Sequence, residues 1–419
     1  MLDIIGFLIA LTAIFSYLNH RFIRLPTTIG VMSISLVLSL CLIAAEKFGP
    51  GASIGYWVEA QVRSIDFYEV LMHGMLSLLL FAGALHIDLE ALAKRKRSIS
   101  ILATVGTITS TFLVGGITYL LFQTIGIEMS FIYCLLFGSL ISPTDPIAVL
   151  GILKSANAPK SLEIKVAGES LFNDGIAVVV FSILLSIALG DADVTVSGVA
   201  LLFAQEAIGG AVFGLVIGYI AYRMIRGIDS YHVEVLITLG LVLGGYALAL
   251  HLHVSGPIAM VVAGLLIGNQ GRTLGMSQET RERLDTFWEI VDELLNAILF
   301  VLIGLEVVVL AFSGQILLIS ILMIAVVLAV RFVAVGIPIS LLRRFFSVDF
   351  TAHSIKLLTW AGIRGGISVS LALSLPAGDE RDSILAITYV VVLFSILVQG
   401  LTIGRLIKAT LKDQTPQEL

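Results

Sequence analysis

The sequence predicts an all-α polytopic membrane protein. It has about thirteen transmembrane helices in two inverted six-helix repeats, with two discontinuous helices. Three observations carry this. The composition is 58% hydrophobic and only 13% charged, against about 25% charged in a soluble domain, so lipid must solvate most of the surface. Basic residues gather in alternate loops. Two apolar segments, seven spans apart, are each interrupted at mid-length by Pro or Gly beside a charge.

A helical span needs about 20 mostly apolar residues. Segments 3–19, 27–45, 67–89, 99–122, 130–153, 163–189, 196–222, 230–250, 255–270, 287–311, 313–342, 353–375 and 382–404 meet that need, the ninth being the shortest. One set of loops holds Arg21 and Arg24; Lys94 to Arg97; Lys154, Lys160 and Lys165; Arg223 and Arg226; Arg272, Arg281 and Arg283; Arg343, Arg344 and Lys356; and Arg405, Lys408 and Lys412. That is 20 of the 25 basic residues. The other set holds only Lys47, Arg63 and Arg381, with the acids Asp191, Asp193, Asp379 and Glu380. Lys and Arg mark cytoplasmic loops, so the expected topology is N-terminus outside and C-terminus inside a cytoplasmic membrane. Met1-Leu2-Asp3 lacks the basic start of a cleavable signal, and the first span is read as retained. The short tail after Arg405 leaves no room for a soluble regulatory domain. Cys41 and Cys134 lie in apolar stretches and read as packed thiols, with no disulfide or metal site. No cofactor and no nucleic-acid partner are implied.

The chain is read as one transmembrane domain, 1–419. Its first repeat is 1–190, a linker helix lies in 196–229, and the second repeat is 230–411. An offset of seven spans reverses direction, which makes the repeats inverted. The linker carries Gly209-Gly210, Gly214 and Gly218; small residues four apart let helices approach closely, for internal packing or a dimer contact.

The interruptions are Ser142-Pro143-Thr144-Asp145-Pro146 and Thr359-Trp360-Ala361-Gly362-Ile363-Arg364-Gly365-Gly366. At membrane depth, irregular backbone survives only where protein buries it or it lines a cavity. Paired interruptions in two halves point to a secondary transporter and its ion site. A charge in a span costs about 2.5–3.5 kcal/mol on insertion scales, so Asp145, Glu169, Asp174, Arg331 and Arg364 each need a reason. Span six reads Gly168-Glu169-Ser170-Leu171-Phe172-Asn173-Asp174-Gly175. Residues four apart share a helix face, pairing Glu169 with Asn173 and Ser170 with Asp174. Asp174 lies about 16 Å into the span, near the midplane.

Pro143 and Pro146 disturb the helix and free carbonyls near Ser142 and Thr144. Hard cations take oxygen ligands, which Thr144, Asp145, Ser170 and Asp174 offer; Asn173 belongs to the same candidate set. Arg364 would balance the negative ends of the broken helices. Glu169 has two possible partners, Arg331 and Arg364, and the sequence leaves both open. Glu306, near the outer end of its span, is expected to face water. Glu289, Asp292 and Glu293 read as a solvated helix end.

At these motifs the chain resembles the monovalent cation:proton antiporter family, in its prokaryotic sodium/proton exchanger branch. Further matching pieces are Phe287-Trp288-Glu289, and Asn296 with Gly304-Leu305-Glu306. The resemblance implies the sodium/proton antiporter fold and a homodimer in which a dimer domain moves against a core domain. By it, Asp174 binds cation and proton in turn, and Thr144, Asp145 and Ser170 complete the cation site. Asn173-Asp174 matches a pair associated with electroneutral exchange. Glu169 pairs with Arg331, and Arg364 sits at the helix crossing. One departure is Ala82, where some relatives carry a third-span acid.

The expected mechanism is competition of Na+ (or Li+) and H+ at Asp174, with alternating access. A site neutralised by either ion can cross the hydrophobic gate; an empty charged one is held back by desolvation. A K+/H+ antiporter is the nearest alternative, and a cation channel is another. An enzyme is disfavoured, because the spans hold no His/Cys grouping and no His-Glu-x-x-His motif.

Overall fold

The computed structural model describes residues 2–48, 67–155, 158–190, 195–308, 310, 314–345, 350 and 353–412. Among these there is no strand. Helix meets each of the thirteen expected spans. Residues 309 and 311–313, at the edges of two spans, and Arg63, Asp191 and Asp193 lie outside the described residues.

In chain order the helices are α1 (Leu2–Leu18), α2 (Thr27–Phe48), α3 (Glu69–Leu85) and α4 (Lys96–Ile125), then α5 (Phe131–Ile141) and α6 (Ile147–Ser155). Next come α7 (Lys160–Leu189), α8 (Val196–Ile225), α9 (Tyr231–His251), α10 (Gly256–Gly271) and α11 (Gln278–Glu306). The last are α12 (Gly314–Phe345), α13 (Ser354–Trp360), α14 (Gly366–Leu373) and α15 (Asp379–Thr410). The pairs α5/α6 and α13/α14 are the two interrupted spans. Local chemistry sets many ends. Thr195 accepts from Gly198 N–H at 3.1 Å to start α8, and Gly190, with φ of 80°, closes α7 in the left-handed conformation that a Cβ disfavours.

The packing follows the inverted symmetry. α2 packs on α11; a shift of seven spans turns that pair into α10 on α3, which is also made. Likewise α1 on α11 maps to α9 on α3. The helices sort into two bundles. One holds α4 to α7 and α12 to α15; the other holds α1 to α3 and α8 to α11, and few contacts join the two.

The second bundle is built on close backbone approach. A methyl group on Gly214 of α8 would lie 2.8 Å from Ala259 Cα of α10, and one on Gly210 would lie 2.6 Å from the Ser255 carbonyl oxygen. The glycine stripe of the linker helix therefore faces inward. On its other side α10 meets α3, where a methyl on Gly264 would lie 2.8 Å from the Phe81 carbonyl oxygen. Outward, α8 presents Leu201, Ile208, Val212, Val216 and Ile220, the apolar surface that lipid requires.

Candidate ion site at the helix crossing

The two interruptions bond to each other. α5 stops at Ile141, and beyond it the freed carbonyls of Ser142 and Pro143 accept from Arg364 Nη1 at 2.6 and 2.8 Å. In return, Asp145 N–H donates to the Ile363 carbonyl at 2.7 Å. α15 braces the second interruption: Arg364 N–H donates to Ser395 Oγ at 2.9 Å, Ser395 donates to Gln399 Oε1 at 2.6 Å, and Gln399 Nε2 donates to the Trp360 carbonyl at 3.1 Å. Four helix ends converge here, and the partial charges of two of them are met by charged side chains. The guanidinium of Arg364, only 2% exposed, sits on the carbonyl end of α5. The carboxylate of Asp145 lies against Gly365, at the N–H end of α14.

α7 presents its polar residues to different neighbours. Glu169 Oε1 lies 2.6 Å from Arg331 Nη1 of α12, and both side chains are buried. Of the two partners the sequence left open, Arg331 makes the pair, while Arg364 is spent on carbonyls. Gly362 packs directly on Arg331, leaving no room for a side chain. On an adjoining face of α7, Ser170 and Asn173 both reach Thr144. The Thr144 and Ser170 hydroxyls are 2.8 Å apart. Asn173 Oδ1 accepts from Thr144 N–H at 3.2 Å, and its Nδ2 donates to Thr144 Oγ1 at 2.9 Å. Both ends of the Asn173 amide are thus engaged in holding the helix interruption against α7.

Asp174 is 5% exposed. It lies at the wall of a cavity of about 830 Å³, with Thr144, Asp145, Leu171, Gly365 and Ser368. This cavity runs between the bundles to the helix ends on the basic-loop side, where Thr27, Asp88, Glu163 and Asp285 line it. The structure therefore brings Thr144, Asp145, Ser170, Asn173 and Asp174 together at one place. Glu169 is turned instead to Arg331 of α12. Oxygen atoms of Asp174, Asp145, Thr144 and Ser170 are the groups that could hold a small cation.

Two expectations change. Glu306 does not face water: it is 9% exposed, inside the packed outer end of α11. Asp292 and its neighbours are not a helix end, because α11 begins at Gln278. Asp292 sits in the fourth turn, half-buried at the cavity wall, and accepts from Asn296 Nδ2 at 3.1 Å. The spacing of Asp292 and Asn296, four apart before an apolar run, was the available signal. At the third-span departure, Ala82 is fully buried.

The family model for the transmembrane part of the sodium/hydrogen exchanger matches residues 7–409. The chain belongs to that family. It is 56% identical over 412 residues to the Na+/H+ antiporter NhaP of Pseudomonas aeruginosa, covering 97% of this chain and 96% of that protein. It is 36% identical to the Na+/H+ antiporter NhaH of Halobacillus dabanensis, over 93% of each. Among solved structures, the sodium proton antiporter MjNhaP1 of Methanocaldococcus jannaschii at pH 8 superposes with a TM-score of 0.74, covering 99% of both chains at 18% identity. That likeness is one of fold.

Proposed function

We propose that this exchanger-family chain is a secondary active antiporter that moves Na+, or Li+, against H+ across the cytoplasmic membrane. The observation that carries the reading is Asp174. It is a buried carboxylate at the inner wall of the inter-bundle cavity, beside two hydroxyls and the helix interruptions. Relatives named as Na+/H+ antiporters support the choice of ions.

In this reading Asp174 carries the exchanging ion, with Asp145, Thr144 and Ser170 as further ligands. Asn173 sets the position of Thr144 and so the size of the site. Asp145 stays fixed against the α14 N-terminus, leaving one carboxylate to exchange. A proton or a Na+ then gives the site the same charge on each crossing, and the cycle is electroneutral. Glu169–Arg331 and Arg364 hold the geometry. Rocking of the α4–α7/α12–α15 bundle against the other provides alternating access, and in this reading the cavity opens toward the cytoplasm. The repeats 1–190 and 230–411 joined by 196–229, the inside C-terminus and a homodimer belong to the same reading.

The test uses proteoliposomes with a pH dye inside, given Na+, Li+ or K+, with and without a K+/valinomycin clamp. Proton movement driven by Na+, insensitive to voltage and absent in Asp174→Asn, is the expected result. Because H+ and Na+ compete, the apparent KM for Na+ should rise as pH falls. A response to K+ alone would change the substrate. Robust Na+-driven exchange by Asp174→Asn would sink the proposal.

A further inference from the structure

We propose that Asp292 and Asn296 of α11 form a second monovalent-cation station on the approach to Asp174, holding a partly hydrated alkali cation. This rests on the reading that a cation travels through the cavity to Asp174.

The cavity has a one-sided charge. Asp88, Glu163, Asp285, Glu289, Asp292 and Glu293 line its mouth and middle, and among the described residues no Lys or Arg lines it. Most of these acids have another occupation or face open water. Asp88 accepts from the N–H groups of Glu90 and Ala91 at 2.9 and 3.0 Å, capping a helix. Asp285 is ion-paired with Arg272. Glu289 and Glu293 are exposed. Glu163 and Asp292 are half-buried without a basic partner among the ion pairs described, and of the two Asp292 is bonded by a neutral amide side chain.

Asn296 supplies the second, independent observation. It is 1% exposed. Its Nδ2 donates to both the Asp292 carbonyl at 2.7 Å and the Asp292 carboxylate at 3.1 Å. Those two bonds fix the amide plane and leave Oδ1 with no hydrogen-bond partner, in a side chain that lines the cavity. A buried acceptor with no donor is rare in a folded protein. A carboxylate and an amide carbonyl one helical turn apart are the oxygen ligands that a hard cation takes. The space accommodates its remaining water, since a cavity needs only about 10–15 Å³ to hold one.

Position completes the case. Residues 289, 292/293 and 296 climb one face of α11 at helical spacing, and Leu299, the next step, packs on Gly366 at the start of α14. A cation at Asp292 and Asn296 is therefore on the wall that leads to Asp145 and Asp174. Such a station raises the local cation concentration at the inner site without taking part in the proton exchange.

The test is saturable binding of radiolabelled Na+ to purified protein by scintillation proximity. The samples are Asp174→Asn alone, and Asp174→Asn with Asp292→Asn or with Asn296→Leu. Weak binding should survive Asp174→Asn and fall by about tenfold or more with either added substitution, as for loss of a ligand. Equal binding in the single and double variants overturns the proposal, as does complete loss in Asp174→Asn alone. In otherwise wild-type protein, Asp292→Asn should raise the apparent KM for Na+ about five- to tenfold with maximal rate within about twofold, the pattern of lost ground-state binding. An unchanged KM also overturns it. If Asn296→Leu fails to fold, Asp292→Asn, which keeps volume and a hydrogen-bonding group, decides. Exchange by wild type is measured separately, so failure of the exchange reading is seen on its own.

Discussion

The two interrupted helices meet at one point but are broken by different chemistry. The first break is made by prolines at 143 and 146, which remove N–H donors. It carries an acid, Asp145, and opens on the cavity through Thr144 and Asp145. The second is made by glycines at 362, 365 and 366, which permit the turn without a clash. It carries a base, Arg364, which is buried with its guanidinium bonding the carbonyls of the first break, while its glycine end, Gly365 and Gly366, adds backbone to the cavity wall. The first break thus serves as a surface and the second as a fastening. Substitutions in the second should cost stability, and those in the first should change ion handling.

Three substitutions break or sharpen that contrast. The largest effect is expected for Arg364→Met. It leaves two buried carbonyls without donors and the α5 end unbalanced, a loss on the order of 4 kcal/mol. Thermal denaturation in detergent reads it, and an unchanged midpoint would mean that the second break fastens nothing. Thr144→Val is intermediate. It keeps shape and removes the hydroxyl shared with Ser170 and Asn173, so apparent KM for Na+ should rise about tenfold, near 1.4 kcal/mol, with little change in melting. A melting loss as large as that of Arg364→Met would erase the distinction. The smallest effect belongs to Pro143→Ala. The Pro143 carbonyl stays bonded to Arg364, and the break should persist, with stability within about 1 kcal/mol. Collapse of exchange in this variant, followed in the same proteoliposomes, would show that proline itself sets the site.

Much of this was legible in the sequence. Spans are read from apolar length and loop charge, which depend only on the bilayer. Both breaks are visible because Pro, Gly and charge are rare at membrane depth. What stayed hidden depends on helix rotation and length. Arg331 and Arg364 carry the same charge, and only the facing of α12 toward α7 assigns Glu169 to Arg331. Asp292 looked like a boundary acid because hydropathy starts the span at 287, whereas polar turns extend α11 back to Gln278. Glu234 escaped notice for a similar reason: it lies in the first turn of α9, yet it is fully buried. That Asn173 is a strut to Thr144 follows from a backbone N–H turned outward by the break, which no residue pattern encodes.

The glycine seams on both sides of α10 have a mechanical consequence. With α8 against one flank and α3 against the other at backbone contact, these two seams have no layer of long side chains to deform. In the proposed cycle this bundle would act as a stator, with displacement passing to its sparse boundary with the other bundle. The moving part would then be about half the protein, travelling as a body for each ion carried. Motions of that size belong to the microsecond-to-millisecond range, which sets the tempo of turnover well below that of ion diffusion.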